Sequence, residues 1–200
     1  PNGKIEDGVR EVAFADGQWY AATSSGVYTS GDSGFAWKGG PIEKNDAFTG
    51  IAAAGNTVLA SGARTLYMSR DQAKTWQPVA LPTGWTRVRY VAVDPDGGFW
   101  LGGRMGVAYS TNQGQSWQLS GVPINNISGL AYDAGIKRVI ATSYDSDLVF
   151  GINPAAKNWI WWNPGWRTHA VESSNGRLVA ATLLHGMIVE PEKQVSSSGH

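Results

Sequence analysis

The sequence predicts an all-β fold assembled from about five repeats of one four-stranded antiparallel unit, the last repeat incomplete. Three observations carry this expectation. An eight-residue box returns three times, as Ser30-Gly31-Asp32-Ser33-Gly34-Phe35-Ala36-Trp37, Ser69-Arg70-Asp71-Gln72-Ala73-Lys74-Thr75-Trp76 and Ser110-Thr111-Asn112-Gln113-Gly114-Gln115-Ser116-Trp117, with tryptophans 39 and 41 residues apart. Short apolar runs separated by Asp-Gly, Asn-Gly and similar turns lie between the boxes. The composition, 26 glycines and 10 tryptophans with 42% hydrophobic residues in a chain of 200, suits packed sheets joined by many tight turns.

Each box position has a physical reading. Asp32, Asp71 or Asn112 can accept hydrogen bonds from turn N–H groups, and Gly34 and Gly114 tolerate positive φ where the second box carries Ala73. The opening serine can bond locally to the backbone. Trp37, Trp76 and Trp117 are expected to begin the following strand and to bury a large apolar face against a neighbouring unit. If fully buried, each would cost about 3–5 kcal/mol on truncation to alanine.

The first repeat (9–46) offers strands at Val9–Ala15, Trp19–Thr23, Gly26–Ser30 and Ala36–Lys38, with Asp16-Gly17 as the first turn. The second (47–86) offers Thr49–Ala54, Thr57–Ser61, Thr65–Ser69 and Thr75–Val79. The third (87–125) runs Val88–Val93, Phe99–Leu101, Val107–Ser110 and Ser116–Leu119, with Asp94 and Asp96 as turn formers rather than a catalytic pair. The fourth (126–166) keeps Ile127–Tyr132, Arg138–Thr142, Asp147–Phe150 and Trp159–Trp162, its box decayed to Phe150-Gly151-Ile152-Asn153-Pro154-Ala155-Ala156-Lys157-Asn158-Trp159. The fifth (167–193) gives His169–Ser173, Arg177–Thr182 and Gly186–Glu190 without a tryptophan-led fourth strand, and 194–200 reads as a disordered tail or vector remnant. An open strand edge invites pairing. Gly3–Glu6 is the N-terminal candidate to close it, with further blades upstream or a second copy as the other routes.

The box resembles the Asp-box, or bacterial neuraminidase repeat, departing from its pattern at Ala36, Ala73, Asn112 and Ser116. The resemblance implies a β-propeller of about five blades spanning 1–193, with the boxes at the turns between third and fourth strands, away from the ligand-binding face. The segment from Gly98 to Trp117, Gly98-Phe99-Trp100-Leu101-Gly102-Gly103-Arg104-Met105-Gly106-Val107-Ala108-Tyr109 followed by the third box, looks like the repeat of photosystem II assembly factor-like propellers, a resemblance that covers about residues 9 to 190. Characterised relatives of that group assist assembly of a membrane complex through a basic face, so the resemblance implies a binding or scaffold role.

Charge and cysteine content bound the alternatives. Sixteen basic and sixteen acidic residues cancel, so no global field attracts nucleic acid, and no nucleic-acid partner is expected. No apolar run reaches the ~18 residues of a membrane span. The lack of cysteine excludes disulfides and thiolate chemistry and suits either redox compartment, with periplasm or exterior favoured. No Walker, dinucleotide or His-Glu-x-x-His motif is present, and neither a cofactor nor a metal is expected.

In the implied propeller, loops between second and third strands and loops between blades share one end. The first class supplies Arg64, Arg104, Tyr144, Asp145 and His185, and the second Trp85, Arg87, Trp166 and Arg167. Arginine beside an exposed aromatic can grip a carboxylate or phosphate while the ring stacks on a sugar or peptide side chain. With Trp162 from the aromatic tract Trp159–Trp166, these residues form the expected recognition surface for a protein, glycan or anionic small molecule. The enzyme alternative is a glycoside hydrolase, either sialidase-like or using two carboxylates, with Asp145 and Glu172 as candidates. A sialidase would need an Arg-Ile-Pro segment that the chain lacks and a tyrosine partner for Glu172.

Overall fold

A computed structural model describes residues 3–40, 42, 47–155, 158–174, 177–182 and 186–189. The expected 194–200 tail lies outside them. Among the described residues nineteen strands form five antiparallel sheets. Blade one holds β1 (Val9–Ala15), β2 (Gln18–Thr23), β3 (Gly26–Ser30) and β4 (Lys38–Gly40). Blade two holds β5 (Phe48–Ala54), β6 (Thr57–Gly62), β7 (Leu66–Ser69) and β8 (Gln77–Pro78), and blade three β9 (Tyr90–Val93), β10 (Phe99–Gly103), β11 (Gly106–Ser110) and β12 (Gln118–Leu119). Blade four holds β13 (Ile127–Asp133), β14 (Arg138–Ser143), β15 (Ser146–Ile152) and β16 (Trp159–Trp162). Blade five holds β17 (Thr168–Ser174), β18 (Arg177–Thr182) and β19 (Met187–Val189), three strands among the described residues.

Every sheet pairs strands in chain order, so each blade is a meander closed by short turns. Asp16 and Gly17 take φ of 49° and 79°, the left-handed pair that a two-residue hairpin turn requires. The first strands β1, β5, β9, β13 and β17 line a central channel, and successive blades stack face to face around it. Apolar layers fill the spaces between blades. Tyr20, Ala22, Phe48, Ile51 and Tyr67 lie between blades one and two, Leu59, Val91, Phe99 and Leu101 between two and three, Trp100, Tyr109, Leu130 and Phe150 between three and four, and Ile140, Val149 and Val171 between four and five. The result is a five-bladed all-β propeller with an incomplete last blade.

The three boxes share one hydrogen-bond scheme. Ser30 Oγ accepts from Gly34 N at 2.9 Å and donates to Asp32 Oδ1 at 2.7 Å, while Ala36 N donates to Asp32 Oδ1 at 2.9 Å. Ser69, Asp71 and Thr75 repeat the scheme, as do Ser110, Asn112 and Ser116. The threonine that the first and third boxes lack adds a bond in the second, Thr75 Oγ1 to Asp71 Oδ2 at 2.6 Å, and this hydroxyl, Thr75 N–H and the Ser69 hydroxyl hold the Asp71 carboxyl down at about 2. Two consecutive residues of each box take positive φ, the second being Gly34, Ala73 or Gly114. Ala73 sits there at 66°, which an alanine adopts at a cost of roughly 1–2 kcal/mol. Ala73→Gly relieves that cost against the greater entropy of an unfolded glycine, so a net gain of about 0.5–1 kcal/mol is expected in urea denaturation.

Two expectations need correction. Trp37, Trp76 and Trp117 stand immediately before the fourth strands and are half-buried. A tryptophan before the strand packs along the blade's outer part, as Trp76 and Trp117 do against the layer shared with the preceding blade, rather than inside it. Trp117 Nε1 donates to Ala80 O of blade two at 2.7 Å, while Trp37 Nε1 donates to Gly34 O of its own box at 3.0 Å. Nor does Gly3–Glu6 close blade five. Gly3 O accepts from Trp37 N at 2.7 Å and Gly8 O from Ser24 N at 3.2 Å, so the segment is held along its own blade.

Candidate functional site

The interblade loop before β9, the β10–β11 loop and the β14–β15 loop meet at the end opposite the boxes. Backbone bonds clamp them together: Arg89 N donates to Gly102 O at 3.1 Å, Asn126 N to Arg104 O at 3.1 Å, and Tyr144 N to Asn126 O at 3.0 Å. Between them lies a cleft of about 320 Å³ lined by Arg87, Arg89, Arg104, Asn126, Tyr144 and Asp145. Three exposed guanidinium groups thus face one carboxylate, and Asp145 already accepts a bond from Asn126 Nδ2.

Arg89 is the residue that sequence reasoning missed. Its Cζ lies 5.7 Å from the Tyr90 ring centroid and 5.8 Å from that of Tyr144, within cation–π range. The two phenol oxygens are 3.2 Å apart. Burial pushes the Tyr90 phenol up, and the Tyr144 hydrogen bond pushes it further, so Tyr90 keeps its hydroxyl proton at physiological pH. One guanidinium over two phenol rings, with two more lining the same cleft, can hold a carboxylate or phosphate through charge and hydrogen-bond donation together.

The structure gathers Arg87, Arg104, Tyr144 and Asp145 as expected and disperses the others. Arg64 is exposed and does not line this cleft. Trp85 is buried, 7% exposed, because the turn Pro82–Trp85 folds inward with Gly84 at φ 81° and Gly103 leaves room for the ring. It is core and cannot stack on a ligand. Arg167 binds Asp147 through Nε at 2.8 Å, a surface ion pair away from this cleft. Trp166 is half-buried, and Trp162 packs against Ile140, Val149 and Val171, leaving Trp161 as the most exposed ring of the tract. His185 lies outside the described residues.

The two carboxylates of the hydrolase alternative also separate. Asp145 lines the arginine cleft, whereas Glu172 lines the channel, a cavity of about 590 Å³ walled largely by alanines and valines. Glu172 meets a different partner there, Glu11 on β1. Burial raises the Glu11 carboxyl to about 8, against a 2.7 Å hydrogen bond from Ile51 N that lowers it, and the nearby Glu172 charge adds to the rise. Among the described residues no three His, Asp or Glu side chains cluster as a metal site.

No protein-family model and no curated protein matches the chain, so membership of the Asp-box family is not shown. Solved structures do match. The chain is similar to YCF48. A YCF48 structure with a bound D1 peptide superposes with a TM-score of 0.69 at 14% identity, covering 97% of this chain and 66% of that one. YCF48 from Cyanidioschyzon merolae gives 0.64 at 15% identity over 88% of this chain and 64% of its own. A GH74 enzyme of Niastella koreensis gives 0.72 at 23% identity, covering 92% of this chain and 29% of the enzyme. The chain therefore spans just under two thirds of each YCF48 chain and shares its fold with enzymes and peptide-binding propellers alike. No helix among the described residues is long and apolar enough to cross a membrane.

Proposed function

We propose that this chain is a non-catalytic binding or scaffold propeller that receives an acidic stretch of a protein partner in the cleft of Arg87, Arg89 and Arg104. The convergence of three guanidiniums and two phenols on loops clamped by backbone bonds carries the reading. The likeness to YCF48, solved with a D1 peptide, supports a peptide as the ligand. A glycan carrying carboxylates would meet the same chemistry and is the second arm of the test.

Fluorescein-labelled acidic peptides, each with a matched amide-substituted control, and oligosaccharides with and without uronic acids are the probes. Fluorescence anisotropy on the wild-type chain is expected to find binding that Arg89→Ala and Arg104→Ala each weaken by about tenfold or more, the scale of losing a charge-assisted hydrogen bond. Arg64→Ala, outside the cleft, is expected to leave it unchanged. Equal affinity of the wild type for acidic probes and their neutral controls would overturn the reading, as would variants that bind like wild type.

A further inference from the structure

The arginine cleft is not uniformly basic. Arg87, Arg89 and Arg104 line it together with one carboxylate, Asp145, on the loop between β14 and β15. All four are exposed, and none of the guanidiniums forms an ion pair with that carboxylate among the described residues. Both signs of charge therefore stand open to a ligand.

Asp145 is held in place. Its backbone N–H donates to Ser143 Oγ at 3.0 Å, and that hydroxyl donates to Asn125 O at 2.5 Å. Asn126 Nδ2 donates to Asp145 Oδ2. Asn126 is itself fixed, because its N–H donates to Arg104 O, its carbonyl accepts from Tyr144 N, and its φ of 49° lies in the left-handed region that asparagine tolerates. The asparagine that ties the Arg104 loop to the Tyr144 loop thus positions the carboxylate as well. The other carboxylate oxygen, Oδ1, has no partner among the described residues.

A fixed carboxylate in a basic cleft works against a purely anionic ligand, because like charges brought together cost affinity. It favours a ligand that brings a cation of its own. We propose that the cleft is bipolar, and that the acidic segment it receives carries an ammonium group beside its carboxylates. The carboxylates lie on Arg87, Arg89 and Arg104, and the ammonium donates to Asp145 Oδ1. Three guanidiniums against one carboxylate keep the ligand acidic on balance. At about 320 Å³ the cleft is at the small end of ligand sites, so the two charges come from groups close together in the ligand. An acidic residue at a free amino terminus and a lysine between acidic residues both supply this chemistry. The inference rests on the arginine cleft as a binding site and gives Asp145 the role of selecting among acidic ligands.

Three peptides with equal numbers of carboxylates and a fluorescein on a distant neutral spacer make the test. One is acetylated and has no lysine, one has a free amino terminus, and one is acetylated with a lysine between glutamates. A cleft that is merely basic would bind the first, the most negative, best. In anisotropy titrations of the wild-type chain, at least one ammonium-bearing peptide is instead expected to bind about fivefold tighter than the first, and the arm that does so identifies the source of the ammonium. Asp145→Asn, whose amide oxygen can still accept from Asn126, is expected to cancel that gain and to tighten the ammonium-free peptide by about two- to fivefold. Asp145→Ala serves if the melting curve shows that the asparagine variant misfolds. Tightest binding of the ammonium-free peptide by the wild type, or an Asp145 variant that shifts all three peptides in the same direction, would overturn the proposal while leaving the arginine cleft as a binding site. Absence of binding by all three peptides would overturn both.

Discussion

Above pH 7, Glu11→Gln is expected to be more stable than the wild-type chain by about 2–4 kcal/mol, and near pH 4 the two are expected to coincide. The sign follows from the direction of the shift. The Glu11 carboxyl is raised in the fold from its usual 4.5 to about 8, so the folded state holds its proton where the unfolded state has released it. Stability is therefore complete below the unfolded value and is lost as pH rises from 4.5 to 8, at up to ~1.4 kcal/mol for each pH unit. Glutamine mimics the protonated form, and its amide oxygen can still accept the Ile51 N–H. Urea denaturation of both proteins at pH 4 and pH 8 measures the difference. Parallel loss of stability in both proteins over that range would show that Glu11 is not the group responsible.

The second large effect sits in the β9–β10 turn. Asp94, 4% exposed, accepts from Gly98 N at 2.8 Å and from Trp100 Nε1 at 2.9 Å. Alanine there leaves two buried donors without an acceptor, at about 1–3 kcal/mol each. Asp94→Ala is expected to cost about 3–4 kcal/mol in urea denaturation, and Asp94→Asn, whose amide oxygen can satisfy one donor, about half as much. The turn also explains Gly98, where an added Cβ would lie 2.3 Å from Asp94 Oδ2. A loss below about 1 kcal/mol for alanine would mean that water replaces the carboxylate.

Strand identity was legible because most hairpins are announced locally. Asp16-Gly17 and the Ser-x-Asp boxes fix their own backbones through bonds spanning four residues or fewer, so the sequence near each turn contains its instructions. The site was harder, because its residues meet through packing between blades. Arg89 was read as part of a strand from Val88 to Val93, but the ladder begins at Tyr90, which leaves Arg89 at the loop end where it reaches two rings. Trp85 looked like a ligand platform because its burial depends on Gly103, eighteen residues later. Glu11 carried a readable signal. It stands at the bulge where blades two and four have Gly50 and Gly129, positions with no room for a side chain beside the next blade.

The meander topology has a kinetic side. Every pairing among the described strands joins neighbours in sequence, so a blade can form without waiting for a distant segment, and the long-range contacts that slow most all-β proteins fall in stacking one finished blade on the next. Folding can then start at any blade and spread in both directions. Blades two, three and four are braced on both faces, whereas blades one and five are braced on one. Among the described blades, local opening is therefore expected to cost least at blades one and five and most at blade three.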